Sequence, residues 1–237
     1  MDVDGVASCI IPAASRTVGV KVSTEQSSRF LTRATVTLID GIREEIRDVF
    51  PYRHMRVQGA EADDIIATLT KHYSTNEQII IVSSDKDFQQ LQIYPNVRQW
   101  SPVTKGFVVC KNPTEFLVDH ILSGDSGDGI PNILSDDDCF VADGKRQTPL
   151  TSKKSAAIQE QILVMGNQVD TSVNMPDKVK RNWDRNRCMV DFRYIPVELE
   201  QSILQRYAES TPTRKGDVLS YLIQHKMKNL MEVVSEF

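Results

Sequence analysis

IIIVSSDKDFQQL, residues 79–91, runs an apolar, β-branched segment straight into two carboxylates, Asp85 and Asp87, with one residue between them. A short, continuously apolar run of this kind is the pattern of a strand buried in the centre of a parallel sheet. Two acids at its end need a reason. A cap for the short helix KDFQQL accounts for Asp85 alone. A ligand set accounts for both, because open parallel sheets bind ligands beyond the carboxyl ends of their strands.

The flanking segments extend the pattern. LIDGIREEIRDVF (38–50) places Ile39, Ile42, Ile46, Val49 and Phe50 at helical spacing. HMRVQ (54–58) reads as a strand, and EADDIIATLTKHY (61–73) as a helix with acids in its first turn and Ile65, Ile66, Leu69 and Tyr73 beneath. Helix, strand, helix, strand is the order of an α/β layer. Further on, residues 94–110 predict two short strands joined through Pro102 to Gly106. NPTEFLVDHILSG (112–124) predicts a helix with Asn112 as N-cap and Pro113 at its first position. GDSGDGIPN (124–132) is a loop by its glycines and proline. Residues 132–151 predict irregular structure with an acidic run, Asp136–Asp138, and helices follow at about 152–165, 176–190, 196–209 and 216–230. Residues 8–37 are Ser/Thr-rich, hold no sustained period and predict irregular structure.

The chain's 237 residues suffice for one large domain, or a compact domain with a smaller lobe. No apolar run reaches the length of a membrane span, and MDVDGVAS lacks the basic and apolar regions of a signal peptide. Cys9, Cys110, Cys139 and Cys188 stand far apart, so neither zinc nor disulfides are expected and a reducing cytoplasm is. Residues 1–150 hold 15 Lys and Arg against 21 Asp and Glu, whereas residues 151–237 hold 13 against 11. An acidic centre beside a basic lobe suits a metal-loaded site that acts on a polyanion.

Three acidic clusters carry the chemistry: Glu61, Asp63 and Asp64; Asp85 and Asp87; Asp125 and Asp128. Each has a simpler reading. Acids favour the first turn of a helix, Asp85 is a natural cap, and Gly and Asp are ordinary turn residues. Together they are harder to explain away. The first two clusters converge at one edge if their strands are neighbours. Carboxylates about 4 Å apart repel by roughly 4 kcal/mol per pair at an effective dielectric near 20. Five or more acids in one crevice need a cation, and oxygen donors without His or Cys point to Mg²⁺ or Mn²⁺. Two such ions about 3.5–4 Å apart are the usual device for in-line attack on a phosphodiester.

AEADDIIATL, IIIVSSDKDFQQL and ILSGDSGDGIPN, in this order and spacing, resemble the metal-binding motifs of the 5′-nuclease superfamily of flap endonucleases and 5′–3′ exonucleases. IYPNVRQWSPVTKGFV, RNRCMVDFRYIP and the ending SEF bring the resemblance closest to the ribonuclease H group of T-even-like bacteriophages, over about residues 38–237. The resemblance implies a parallel-sheet, PIN-like nuclease core with a helical C-terminal lobe. It divides the chain into an atypical segment 1–37, a core 38–128 carrying the metal site, and a DNA-binding lobe 129–237. It makes Glu61, Asp63, Asp64, Asp85, Asp87, Asp125 and Asp128 metal ligands, with Asp64, Asp85, Asp87 and Asp128 central to catalysis.

The resemblance puts residues 129–160 where the family has a helix–hairpin–helix-like element, here without its common glycine-rich hairpin, and Lys145, Arg146, Lys153 and Lys154 stand there as phosphate contacts, or as an ordinary solvated face. At the front, Asp2 or Asp4 stands for a further metal-binding Asp, and residues 9–37 occupy the place of a basic, aromatic helical arch without its composition. The implied activity is Mg²⁺-dependent 5′–3′ exonuclease, flap endonuclease and ribonuclease H cleavage in phage DNA replication, with two Mg²⁺ ions for which Mn²⁺ substitutes. The implied partners are duplex or flapped DNA, RNA/DNA hybrid, a phage single-stranded-DNA-binding protein and a sliding clamp. A monomer in the cytoplasm of the infected bacterium is expected. The alternative is a catalytically impaired duplex-binding remnant of the family, and a plain divalent-metal-binding domain is the third reading.

Overall fold

The computed structural model describes residues 6–12, 17–22, 33–164, 175–210 and 218–236, with side chains from residue 41 onward except at 161, 163 and 164. The expected strand QIIIVSS is β4, and it is central. The strands are β1 (Val6–Pro12), β2 (Thr17–Val22), β3 (Tyr52–Gln58), β4 (Gln78–Val82), β5 (Val97–Ser101) and β6 (Gly106–Val108). They form one sheet in the order β3-β1-β2-β4-β5-β6. Parallel pairing is confined to β2–β4 and β4–β5; the outer pairs are antiparallel. Ile79 and Ile81 of β4 are fully buried.

The helices are α1 (Arg33–Val49), α2 (Ala62–Tyr73), α3 (Pro113–Ser123), α4 (Ser152–Val164), α5 (Asp177–Val190), α6 (Val197–Glu209), α7 (Val218–Gln224) and α8 (Lys228–Met231). A 3₁₀ segment, Asp87–Ile93, follows β4.

Two expectations change. Part of the stretch read as irregular forms β1 and β2, which lie inside the sheet. In TVGVKV, Val18, Val20 and Val22 alternate with Thr17, Gly19 and Lys21, a strand period hidden within the surrounding Ser and Thr. These strands separate β3 from β4, so the two are not neighbours. They nonetheless run in the same direction, because β3 and β2 are each antiparallel to β1 and β2 is parallel to β4. Their carboxyl ends therefore share one edge. The helix expected at 216–230 is also interrupted: Lys226 takes φ 55°, a left-handed conformation, between α7 and α8. Asp2 and Asp4 lie outside the described residues, as does much of 9–37.

Three apolar clusters hold these layers. Met55, Ile65, Ile66, Leu69, Ile79, Ile81 and Phe88 pack beneath the sheet with Ile203 of α6. Leu117, Val118, Ile121 and Leu122 of α3 pack against Ile162 and Trp183. Phe50 closes on Val218 and Leu222 of α7. Late helices thus cover early elements, with α6 on the sheet and α7 on the end of α1.

The loop after α3 begins at Gly124, with φ 67° and ψ −171°. A Cβ there would stand 2.4 Å from the Ile130 carbonyl oxygen and 2.6 Å from that of Pro131. Gly124→Ala should therefore destabilise the protein by upward of the ~1–3 kcal/mol that such a backbone conformation alone costs a side-chain-bearing residue. The denaturation midpoint measures this, and an unchanged midpoint would mean that the loop re-forms freely.

Candidate metal centre

The first group of acids is placed by a turn. Gly59, with φ 78°, redirects the chain after β3, and Glu61 becomes the N-cap of α2. Glu61 and Asp64 cap reciprocally: the Glu61 amide donates to Asp64 Oδ2 at 2.8 Å, and the Asp64 amide donates to the Glu61 side chain. Burial raises Asp64, and the Glu61 amide opposes the rise. Asp63 is free of the cap and lies in the field of the other acids. Burial first, then the charges of Asp85, Asp87, Glu61 and Asp64, push it up to about 8.

The second group sits past β4. The Ser83 amide donates to the Trp100 carbonyl at 3.0 Å, extending the β4–β5 ladder. Ser83 Oγ accepts from the Asp85 amide at 3.1 Å, and Asp85 Oδ1 accepts from the Asp87 amide at 3.0 Å. Asp85 therefore does cap the 3₁₀ segment. Gln99 of β5, 1% exposed, fixes the backbone here: its Nε2 donates to the carbonyls of Ser83 at 3.0 Å and Asp85 at 2.6 Å. Burial raises Asp85, as do the charges of Asp87 and Asp125, while the Asp87 amide opposes them.

The third group comes from the loop after α3. Asn112 Oδ1 accepts from the Glu115 amide at 3.2 Å, and Pro113 opens the helix, as its sequence predicts. The loop closes on itself. Asp125 Oδ1 accepts from the Gly127 amide at 2.8 Å, and the Ile130 amide donates to the Asp125 carbonyl at 2.6 Å. Burial acts to raise Asp125, but Lys86, whose Nζ lies 2.8 Å from Asp125 Oδ2, outweighs it together with the Gly127 amide and His120 and holds the carboxyl below its ordinary range. Asp128 stands at the rim. It is raised by burial and by Asp125, Asp87, Asp85 and Glu61.

All seven expected acids thus share one electrostatic neighbourhood, with Asp64 turning its Oδ2 back to the α2 cap. A histidine stands among these oxygen donors. His120 of α3, 6% exposed, reaches the same place, and Asp87, His120 and Asp125 offer donor atoms all within 4.8 Å of one another. His120 Nε2 lies 3.0 Å from Asp87 Oδ1, close enough for an ion pair but not aligned as a hydrogen bond, so both atoms are buried without a hydrogen-bond partner among the described residues. Orphaned buried polar atoms amid repelling carboxylates fit a divalent cation. The one signal for His120 in the sequence is its place in the last turn of the helix that feeds GDSGDG.

The basic residues expected at the duplex lie outside this cluster. Lys153 and Lys154 are exposed in the first turn of α4. Arg146 is exposed in the preceding loop, and Lys145 is paired with Asp138 at 2.6 Å. The acidic run staples α5: Asp136 pairs with Lys178 at 2.6 Å, and Asp137 with Arg181 and Arg185.

Comparison with known proteins places this architecture. Residues 35–117 match the N-terminal resolvase-like domain of 5′-3′ exonucleases, and residues 114–237 match the C-terminal domain of T4 RNase H. The second match spans more than half of the chain, which therefore belongs to the T4 RNase H family of 5′ nucleases. Ribonuclease H of Enterobacteria phage T4 is 30% identical over 198 residues, covering 82% of this chain and 63% of the phage protein. The chain thus spans somewhat under two thirds of that relative's length. Flap endonuclease Xni of Shewanella halifaxensis is 41% identical over 83 residues, 31% of this chain and 32% of that protein. The T5 D15 protein co-crystallised with metal ions aligns at 17% identity with a TM-score of 0.49, over 76% of this chain and 73% of that one.

The crowding of acids has a consequence in solution. Asp63 is raised from 3.8 to about 8 in the folded protein, so the folded state holds a proton that the unfolded state has released. The stability this lends is complete below about pH 4 and is lost as pH rises toward 8. Asp85 and Asp128, also raised, act in the same direction. The melting temperature in chelator should fall by several degrees between pH 5 and pH 8, and millimolar Mg²⁺ or Mn²⁺ should flatten that fall. Identical pH slopes with and without metal would show that the acids do not share an ion.

Proposed function

We propose that this protein is a divalent-metal-dependent 5′ nuclease, acting as a 5′–3′ exonuclease and flap endonuclease on duplex or flapped DNA and RNA/DNA hybrid. RNA-primer removal in phage DNA replication is the role that fits. One observation carries the reading: acids from three separate segments meet at the carboxyl edge of the sheet, where burial and one another's charges raise Asp63, Asp85 and Asp128. Membership of a family whose named relatives are nucleases supports it.

Glu61, Asp63, Asp64, Asp85, Asp87, Asp125 and Asp128 would hold two ions, Mg²⁺ or Mn²⁺. Such ions, when bound, supply Lewis-acid polarisation of the phosphodiester and a lowered pKa for the attacking water. The protein's own part is to keep the donors in place. Gln99 holds the Asp85 backbone, the α2 cap holds Glu61 and Asp64, and the closed loop holds Asp125. Asp64, Asp85, Asp87 and Asp128 form the catalytic set in this reading.

Labour divides along the chain. Residues 38–128 carry the metal site, 129–237 the duplex grip, and 1–37 stand where the family has its first strand and arch. Lys153 and Lys154, in the first turn of α4, add their charge where a helix N-terminus favours phosphate. Arg146 joins them, and Lys145 does so on release from Asp138.

Asp87→Asn should abolish Mg²⁺-dependent cleavage of a 5′-flap substrate while leaving the metal-free melting temperature unchanged or slightly raised, because one repelling charge is gone. Cleavage by this variant at the wild-type rate would remove Asp87 from the site.

Duplex binding separates the two halves of the proposal. The slope of log affinity against log salt falls by roughly 0.9 for every phosphate that the protein ceases to neutralise. Changing Lys153 and Lys154 together to Ala should therefore flatten that slope by about 1.8. Salt-sensitive binding without cleavage would mark a duplex-binding remnant, whereas salt-independent binding would place the grip elsewhere.

A further inference from the structure

His120 is not explained by an all-carboxylate centre. It is buried, it belongs to α3 rather than to any of the acidic segments, and its Nε2 lies between two of them, 3.0 Å from Asp87 Oδ1 and 3.9 Å from Asp125 Oδ2. If its purpose were to orient Asp87, an N–H would point at that oxygen. The alignment fails, and both buried atoms are left without a hydrogen bond among the described residues. Two buried polar groups left unmet are costly unless a further group satisfies them. Donor atoms held about 2.1 Å from one ion stand roughly 3.0 Å apart when adjacent on an octahedron and about 4.2 Å apart when opposite. The two separations here, 3.0 and 3.9 Å, lie close to those values.

We propose that His120 is a nitrogen ligand, completing a mixed N/O site with Asp87 and Asp125 that takes a first-row transition dication in preference to Mg²⁺. The proposal rests on the metal-centre reading above and gives one of its two positions a chemical identity. Imidazole suits Fe²⁺, Co²⁺, Ni²⁺ and Zn²⁺, while Mg²⁺ demands oxygen donors and keeps its waters. Lys86 fits the scheme as the counter-cation of the metal-free state. Its ammonium pairs with Asp125 Oδ2 at 2.8 Å, and its half-exposed side chain can leave for solvent when a dication takes that oxygen. The remaining acids, Glu61, Asp63, Asp64, Asp85 and Asp128, are all oxygen donors and suit Mg²⁺ at the other position. His120 stacks on Phe116, with ring centroids 5.7 Å apart, which fixes the imidazole plane before any ion arrives.

The test uses Mn²⁺ as a paramagnetic probe on the full chain. Pulsed electron spin resonance should show ¹⁴N modulation from a directly bound imidazole at one of the bound Mn²⁺ ions. That modulation should become ¹⁵N modulation when histidine is isotopically labelled, and should vanish in His120→Gln with Mn²⁺ still held by oxygen donors. In competition, His120→Gln should weaken Zn²⁺ at this position by at least about tenfold, and change Mg²⁺ displacement by no more than about twofold. His120→Phe, which keeps the stacking on Phe116, serves if the glutamine variant does not fold. Mn²⁺ bound without nitrogen modulation in the wild type overturns the proposal and leaves the nuclease reading standing. Failure of Mn²⁺ to bind at millimolar concentration overturns both. Modulation that survives in both variants assigns the nitrogen to another histidine and also overturns it.

Discussion

Carboxylates repel one another, and a cluster of them at one edge of a sheet exists only because something neutral holds the backbone beneath. Here that work falls to buried amide side chains. Gln99 grips the carbonyls of Ser83 and Asp85. Gln90 gives its Nε2 to the Val190 carbonyl at 3.0 Å and takes the Phe192 amide at 3.1 Å, joining the segment that carries Asp87 to the end of α5. Asn182 donates to the carbonyls of Ile133 and Ser135, and Asn186 to those of Ile121 and Pro131. Asn182 and Asn186 have no exposed surface. An amide is a good choice for this position. It satisfies irregular backbone without adding charge to a site already overloaded with it, and a missing partner would leave buried carbonyls unmet at ~1–3 kcal/mol each.

The simple and the functional readings of the acids are not rivals in this molecule. Glu61 and Asp64 cap α2, Asp85 caps the 3₁₀ segment, and Asp125 closes its own loop. Each of these bonds uses one oxygen or one face of a carboxylate. A carboxylate has about four lone-pair directions. Capping therefore fixes the rotamer of the acid while leaving acceptor capacity turned toward its neighbours. Asp63 has no such tie among the described residues, and burial together with its neighbours' charges pushes it up to about 8.

What could be read from the sequence was what depends on near neighbours in the chain. The run of β-branched residues into Asp85, the Asn112–Pro113 helix start and the glycine loop at 124–132 each carry their signal within a few residues. The order of strands does not, and a period of two in 17–22 was hidden by the composition around it. His120 and the amides of α5 were invisible for the same reason. Asn182 and Asn186 sit among Lys, Arg and Asp in KVKRNWDRNR, which reads as a solvated basic helix, and their partners lie 47 to 65 residues earlier. The acidic run Asp136–Asp138 looked like a loop with no purpose until α5 supplied its cations.

The dependence of the 124–135 loop on α5 also sets an order in time. As the chain leaves the ribosome, the residues of the sheet, α2 and the Asp85–Asp87 turn are all made long before residues 182–186 emerge. Pro131 waits 55 residues for Asn186. At roughly 5–20 residues per second that is an interval of seconds. During it the carbonyls of Ile121 and Pro131 lack the buried amide that meets them in the folded protein, and Gln90 lacks Val190 and Phe192. The loop that carries Asp125 and Asp128 gains this partner only when α5 arrives.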